Sequence, residues 1–367
     1  MNVCMDARLL MAGGIGRYIR EIVSRALLDP RISQVTLLGS EDVVAGWLSG
    51  KDPRDIASVV HWGGRPYSLT SHLSWPVVAS KVPSPDVWFF PHYDVPMMSI
   101  PSPLVVTVHD VIQFRHPAGF PGWKRFLGMA LLRSAVSHAS SVVTVSHASA
   151  NALAQVVPDV VRRMHVVHNG VSSRFAPLAP GEEMPSRFAD LSPFLLTVGA
   201  PTAHKNLTVA LEVLARLSDS FPDLRLCMVG FDAHDAGELN EHALRLGILD
   251  RVMHLGRVTD AELHELYLRC SVFLSPSTTE GFGLPALEAF ACGSPVIVSD
   301  IPAFREILPP ETLRVEPLNV ALWAETVRHV LQRGAEGPGR PVADASSSWD
   351  QSAEGTLRVL LDAARVQ

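Results

Sequence analysis

Two carboxylates bracket the stretch richest in chemistry, Thr279-Glu280-Gly281-Phe282-Gly283-Leu284-Pro285-Ala286-Leu287-Glu288. Pro285 suits the first position of a helix and Gly293 the residue just past its end, so a helix is expected to open inside this stretch. Gly281 and Gly283 let backbone N–H groups around Phe282, Gly283 and Leu284 approach a ligand closely. A helix amino terminus with outward N–H groups is an anion site well matched to a diphosphate. Glu280 then stands before the helix and Glu288 on its second turn, flanking the phosphate. Carboxylates in that place need neutral donors, and sugar hydroxyls supply them. The plain alternative is a glycine-rich loop with Glu288 solvated on a helix face. Two acids, two glycines and Pro285 in one unit favour binding.

Three further places carry suitable groups. Lys205 follows the apolar run Phe194 to Val198 and precedes a helical stretch from Leu207 to Leu217. A point charge there suits a diphosphate leaving group, because a fixed cation stabilises the negative charge left on a departing nucleotide. A lysine merely solvated at a helix start would be opposed by the helix dipole. His109 ends the apolar run Leu104 to Val108, where an α/β sheet presents ligand-binding groups. Its imidazole can hydrogen-bond a sugar hydroxyl or stabilise charge; Asp110 beside it either orients the loop or caps the next turn. Gly13-Gly14-Ile15-Gly16 precedes the helical run Arg17 to Leu28. Gly14 and Gly16 allow a tight approach to phosphate or simply start the helix, and the third glycine of a dinucleotide fingerprint is replaced by Ile19. Arg257 either meets phosphate or lies at the surface.

These groups need rigid supports, and the apolar pattern provides them. Val35 to Leu38, Val87 to Phe90, Leu104 to Val108, Val142 to Val145 and His165 to Val167 read as strands buried on both faces. The rhythm resumes with Phe194 to Val198, Leu224 to Val229, Val272 to Leu274 and Pro295 to Val298. Such runs separated by helical stretches signal βαβ units and parallel sheets. The fold class expected is α/β, with two doubly wound Rossmann-like domains facing across a cleft. The boundaries are an amino-terminal domain over 1–170, a linker rich in Pro, Ser, Gly and acids over 171–193, a carboxyl-terminal domain over 194–345, and a final helix within 346–367 able to pack on either domain. A loose stretch, Gly334 to Ser348, precedes that helix. The segment Pro121 to Ala139, with Trp123, Lys124, Arg125, Phe126 and Arg133, reads as an ordinary core-packing helix without a single basic stripe.

Composition excludes several classes. The 367 residues are 47% hydrophobic and 19% charged, which suits a folded chain of two domains. Lys and Arg total 31 against 37 Asp and Glu, a balance that argues against a nucleic-acid partner. Cys4, Cys227, Cys270 and Cys292 form no CxxC pair, excluding a zinc ribbon or disulfide framework. Asp6 and Arg8 interrupt the first apolar stretch, unlike a signal peptide, and no apolar run reaches transmembrane length. A cytoplasmic location is expected.

The Glu280-x7-Glu288 unit with Gly-Phe-Gly-Leu-Pro inside it, followed by Ala291-Cys292-Gly293-Ser294-Pro295, resembles the retaining glycosyltransferases of family 4. The resemblance extends along most of the chain through Gly13 to Tyr18, Pro91 to Pro96, Val108-His109-Asp110, Asn169-Gly170-Val171, His204-Lys205-Asn206 and Val229-Gly230. It implies a GT-B fold, a nucleotide-sugar donor and an α-glycoside product. It further implies His109 and Glu280 at the donor sugar, Lys205 at the diphosphate, Gly14 and Gly16 at the same phosphates, and Glu288 at the ribose. Nucleobase contacts would come from the backbone of Val252 to Val258. Catalytic work falls to His109, Glu280 and Lys205, with no metal and no other cofactor. The family's usual arginine is replaced by Ala200, so backbone around Gly283 and Leu284, or Arg257, must supply that charge. The bacterial mannosyltransferase branch is the nearest pattern, which makes GDP-mannose the first choice of donor, with GDP-rhamnose or a UDP-sugar behind it. The acceptor implied is a glycan or lipid-linked glycan of a surface polysaccharide, reached at the inner face of the membrane. Two rivals remain: a dinucleotide-dependent oxidoreductase, with Glu41 as ribose-binding acid, and a noncatalytic sugar-nucleotide sensor.

Overall fold

The structure, a computed structural model, describes residues 1–115, 122–179, 181–182, 187–333 and 348–365. Most of the stretch read as loose, 334–347, and the boundary at 345 lie outside the described residues, as does Pro121. The chain divides into two compact units, Met1–Gly170 with Ser347–Gln367, and Val171–Ser346.

In the first unit the strands are β1 (Asn2–Asp6), β2 (Gln34–Gly39), β3 (Ala57–His61), β4 (Val87–Phe90), β5 (Leu104–Val108), β6 (Ser141–Thr144) and β7 (Met164–Val166). They form one sheet in the order β3-β2-β1-β4-β5-β6-β7, every neighbouring pair parallel. The second unit has β8 (Phe194–Val198), β9 (Arg225–Val229), β10 (Val252–His254), β11 (Val272–Ser275), β12 (Val296–Ser299) and β13 (Leu313–Val315). Their order is β10-β9-β8-β11-β12-β13, again all parallel. Strand order reverses between β1 and β4 and between β8 and β11, and ligands in such sheets bind beyond the strands' carboxyl ends at that reversal.

Successive side chains of a strand face opposite sides, so a doubly covered sheet needs apolar residues throughout. Phe194, Leu196, Cys227, Val229 and Phe273 enter one core of the second unit, while Leu195, Leu226, Met228, Val272 and Leu274 enter the other. β3, β10 and β13 were not read as strands. They are short or half-exposed edge strands and lack a continuous apolar run.

Two expectations change, and one open alternative is resolved. Phe175 and Phe188, inside the 171–193 stretch read as a linker, are buried in the second unit's core. The helix Gly122–His138 buries Leu131, Leu132, Ala135 and Val136, but Trp123 and Phe126 in its first half are 67% and 79% exposed. Only its second half packs on the core. The final helix, Trp349–Ala364, belongs to the first unit and opens with a Ser348–Gln351 capping box. Tyr18, on the helix Gly13–Ala26, has its hydroxyl 3.2 Å from Thr107 Oγ1 and 3.3 Å from Thr356 Oγ1. Trp349 is buried nearby, and a β-carbon on Gly170 would lie 2.0 Å from its backbone nitrogen. The close approach therefore requires glycine at 170.

Candidate active site

At the second unit's strand reversal, the loops following β8 and β11 are stitched together. Asn206, held at φ 53°, donates from Nδ2 to the carbonyls of Pro276 and Pro317, each at 3.0 Å. The Thr278 N–H donates to the His204 carbonyl at 2.8 Å. These bonds set Lys205 Nζ 2.7 Å from Glu280 Oε1, and Ser277 Oγ donates to the same oxygen at 2.7 Å. The lysine and glutamate side chains are 18% and 8% exposed, so the pair is screened little by water. Gly199, at φ 146°, underlies the lysine stem: a β-carbon there would stand 3.1 Å from Lys205 Cε.

The helix Leu284–Ala291 begins beside this pair, with Pro285 in its first turn and Gly283 as a left-handed amino cap at φ 100°. A β-carbon on Gly283 would meet Phe304 Cε1 at 2.6 Å, so both conformation and space require glycine. Glu288 is 2% exposed and accepts from the Tyr267 hydroxyl at 3.1 Å. The solvated alternative for this residue is thereby excluded. Phe282 is buried as well. Arg257 is exposed and has no hydrogen bond or ion pair among the described residues.

The first unit holds the other expected groups. His109, past the end of β5, donates from Nε2 to the Pro91 carbonyl at 2.9 Å, and the Tyr18 ring meets it edge-on at 4.9 Å. Burial pushes its pKa down to about 4, against the pull of that hydrogen bond. The imidazole is neutral near pH 7, with Nδ1 as an acceptor, so it can order a hydroxyl but brings no positive charge. His109 also lines a cavity of about 520 Å³ within this unit, shared with Tyr67, Tyr93 and Arg125. The two glycines part company. Gly14 is exposed, with nothing within 4 Å of a β-carbon position, whereas Gly16 is buried with that position 2.6 Å from the Leu10 carbonyl oxygen. Gly16 serves the chain's own turn, and Gly14 alone keeps an open approach.

Residues 12–175 match the family described as Glycosyltransferase Family 4, and residues 183–340 match Glycosyl transferases group 1. The chain belongs to glycosyltransferase family 4. Among its relatives, the O-antigen chain mannosyltransferase RfbU of Salmonella typhimurium is 30% identical over 66% of this chain and 64% of its own length. The match thus spans just under two thirds of that relative. The O-antigen chain mannosyltransferase B of Escherichia coli is 25% identical over 94% of each chain. The crystal structure of WaaG, a glycosyltransferase involved in lipopolysaccharide biosynthesis, superposes with a TM-score of 0.69 at 16% identity, over 99% of both chains. Anabaena HepE with UDP-glucose gives 0.70 at 18% identity, over 100% of this chain and 98% of that one. These likenesses show the GT-B fold.

One cluster of this family-4 chain was missed by reading the sequence. Arg8 pairs with Asp6 at 2.6 Å and Asp94 at 3.1 Å, with its guanidinium 3.5 Å above the Trp62 ring. His92 Nε2 lies 3.0 Å from Asp6 Oδ2, and His72 Nε2 lies 3.0 Å from Asp94 Oδ1. Burial alone would raise the Asp6 carboxyl; Arg8 and His92 outweigh it and hold the group below the usual carboxylate range. The network sits at the ends of β1 and β4, the first unit's strand reversal, and His92 reaches the cavity wall. The signal was present: Asp6 and Arg8 interrupt a buried strand end, where charges survive only when paired.

Proposed function

We propose that this chain transfers a hexose, mannose in first place, from GDP-mannose to a growing lipid-linked glycan of a bacterial surface polysaccharide, with retention at the anomeric carbon. The observation that carries this reading is the Lys205–Glu280 pair, held by stitched loops at the strand reversal beside a glycine-capped helix. The similarity to two O-antigen mannosyltransferases supports the choice of sugar. In this reading Lys205 and the backbone at Gly283 and Leu284 take the diphosphate, Glu280 the donor sugar and Glu288 the ribose. Arg257, exposed and unpaired, takes the place of the arginine that Ala200 lacks.

The acceptor hydroxyl attacks the anomeric carbon on the face from which the diphosphate departs. The sugar–phosphate C–O bond breaks and its electron pair stays on the nucleotide. The acceptor proton passes to a departing phosphate oxygen, and a new glycosidic C–O bond forms. Lys205 lowers this barrier by stabilising charge that grows only as the bond breaks. No metal enters the scheme, and the enzyme works on the inner face of the membrane. Among the described residues no helix is long and apolar enough to cross it.

The test is turnover of GDP-mannose in a chelating buffer with a lipid-linked glycan, the product followed by NMR. An α-anomer released together with GDP supports the proposal. A β-anomer overturns retention, and turnover of UDP-glucose or GDP-rhamnose in preference to GDP-mannose overturns the donor.

A further inference from the structure

The buried network at the ends of β1 and β4 reaches His109 through the backbone. His92 and Asp6 meet with side chains 1% and 0% exposed, and the Asp94 N–H donates to His92 Nδ1 at 3.2 Å. A ring nitrogen that accepts carries no hydrogen, so the His92 hydrogen sits on Nε2, 3.0 Å from Asp6 Oδ2. Arg8, bonded to both Asp6 oxygens, also donates to the Asp94 carbonyl at 3.0 Å and reaches the Asp94 carboxylate at 3.1 Å. The segment leaving β1 thus grips the segment leaving β4 at His92 and at Asp94. Pro91 lies between that grip and the sheet, where Phe90 pairs with Val106. Its ring fixes φ, and its carbonyl shares a planar peptide unit with the His92 nitrogen. Holding His92 therefore holds the Pro91 carbonyl, which accepts from His109 Nε2 at 2.9 Å. Ser149 Oγ ties the backbone of His109 by donating to its carbonyl at 2.7 Å. His109 Nδ1 makes no hydrogen bond among the described residues.

We infer that Asp6 and His92 are positioning residues that fix the tautomer of His109, by aiming the Pro91 carbonyl at its Nε2. A neutral imidazole has one hydrogen for two nitrogens, and the hydrogen bond made by one nitrogen decides what the other can do. The carbonyl takes the hydrogen at Nε2 and leaves Nδ1 bare, an acceptor for a hydroxyl. Asp6 does not touch His109; it acts through His92 Nε2 and the Pro91–His92 peptide. Despite its burial Asp6 stays ionised, because Arg8 and His92 outweigh that burial. Its bond from His92 is therefore charge-assisted, which holds the His92 hydrogen on Nε2 and keeps Nδ1 open to the Asp94 N–H. An apolar pair would fill these strand ends without the cost of burying charge, but would leave the loop without this fixed geometry. Placing the hydroxyl on the transferred sugar rests on the transferase reading; the tautomer of His109 does not.

Proton–nitrogen correlation NMR of the histidine rings, on the isotope-labelled full chain near pH 7, reads which ring nitrogen carries the hydrogen. In the wild type both His92 and His109 should carry it on Nε2 and show a bare Nδ1. His92→Phe keeps a ring but removes both nitrogens, and leaves Asp6 paired with Arg8. In that variant His109 should show a mixture of its two tautomers. Its kcat with GDP-mannose should fall about tenfold, as loss of one ordered hydrogen bond allows, while GDP affinity stays within about twofold. A hydrogen on Nδ1 of either ring in the wild type overturns the inference, and that measurement decides the matter even where His92→Phe does not fold. An unchanged His109 pattern in the folded variant overturns it too, whatever happens to kcat, because His92 would then be merely structural. A mixed tautomer with unchanged kcat contradicts the role of His109 in the transferase reading alone and leaves the positioning by Asp6 and His92 standing.

Discussion

Lys205 and Glu280 neutralise one another at 2.7 Å, so a diphosphate drawing on the lysine competes with a carboxylate. That competition favours a ligand whose charge increases along the reaction. Lys205→Ala is expected to lower kcat by about 10²- to 10³-fold, as loss of a donor to developing charge does elsewhere, and to weaken GDP. Steady-state kinetics with calorimetry of GDP would show it. His109 supplies a second prediction. Its pKa falls from 6.5 to about 4 on folding, so the unfolded chain takes the proton first as pH drops. The histidine's contribution is complete above 6.5 and is lost between 6.5 and about 4, an effect of up to about 3 kcal/mol. Urea midpoints across that window should fall more steeply for the wild type than for His109→Gln. Lys205, Glu280 and Glu288 were legible because type and spacing announced them. The Asp6–Arg8–Asp94 network was not, since the pairing of buried charges from separate segments is a property of the folded chain.

Glycine positions test the elements. The first helix begins at Gly13, and a methyl group at Gly14 would point into open space. Gly14→Ala should leave folding intact or stabilise it by about 0.4–1 kcal/mol, through a less flexible unfolded chain. A fall in turnover in that variant would then report the approach to phosphate. Gly16→Ala places its methyl 2.6 Å from the Leu10 carbonyl and should destabilise the first unit by about 1–3 kcal/mol, read by chemical denaturation. Central strands were legible from their apolar runs, because both faces of each sheet are covered. The loop clamps were not: Asn206 appeared only as part of a motif, and its bonds to Pro276 and Pro317 join residues far apart in the chain.

Each unit closes around its own cores, and the chain returns to finish the first with Trp349–Ala364. Trp349 is 1% exposed, so Trp349→Ala should cost the first unit about 3–5 kcal/mol. The second unit, with separate cores, should keep its own transition. The two parallel sheets were legible in outline. The partner of the last helix stayed open between the two domains, because an amphipathic stripe states that a face is buried without naming its partner. The central claim is that the second unit binds a guanine nucleotide diphosphate through Lys205 without a metal. Calorimetric titration of GDP, UDP, ADP and NAD in a chelating buffer, on the wild type and Lys205→Ala, tests it most directly. The account predicts that GDP binds most tightly and loses about tenfold or more in the variant. Tight NAD binding with GDP silent, or GDP affinity indifferent to Lys205, would contradict it.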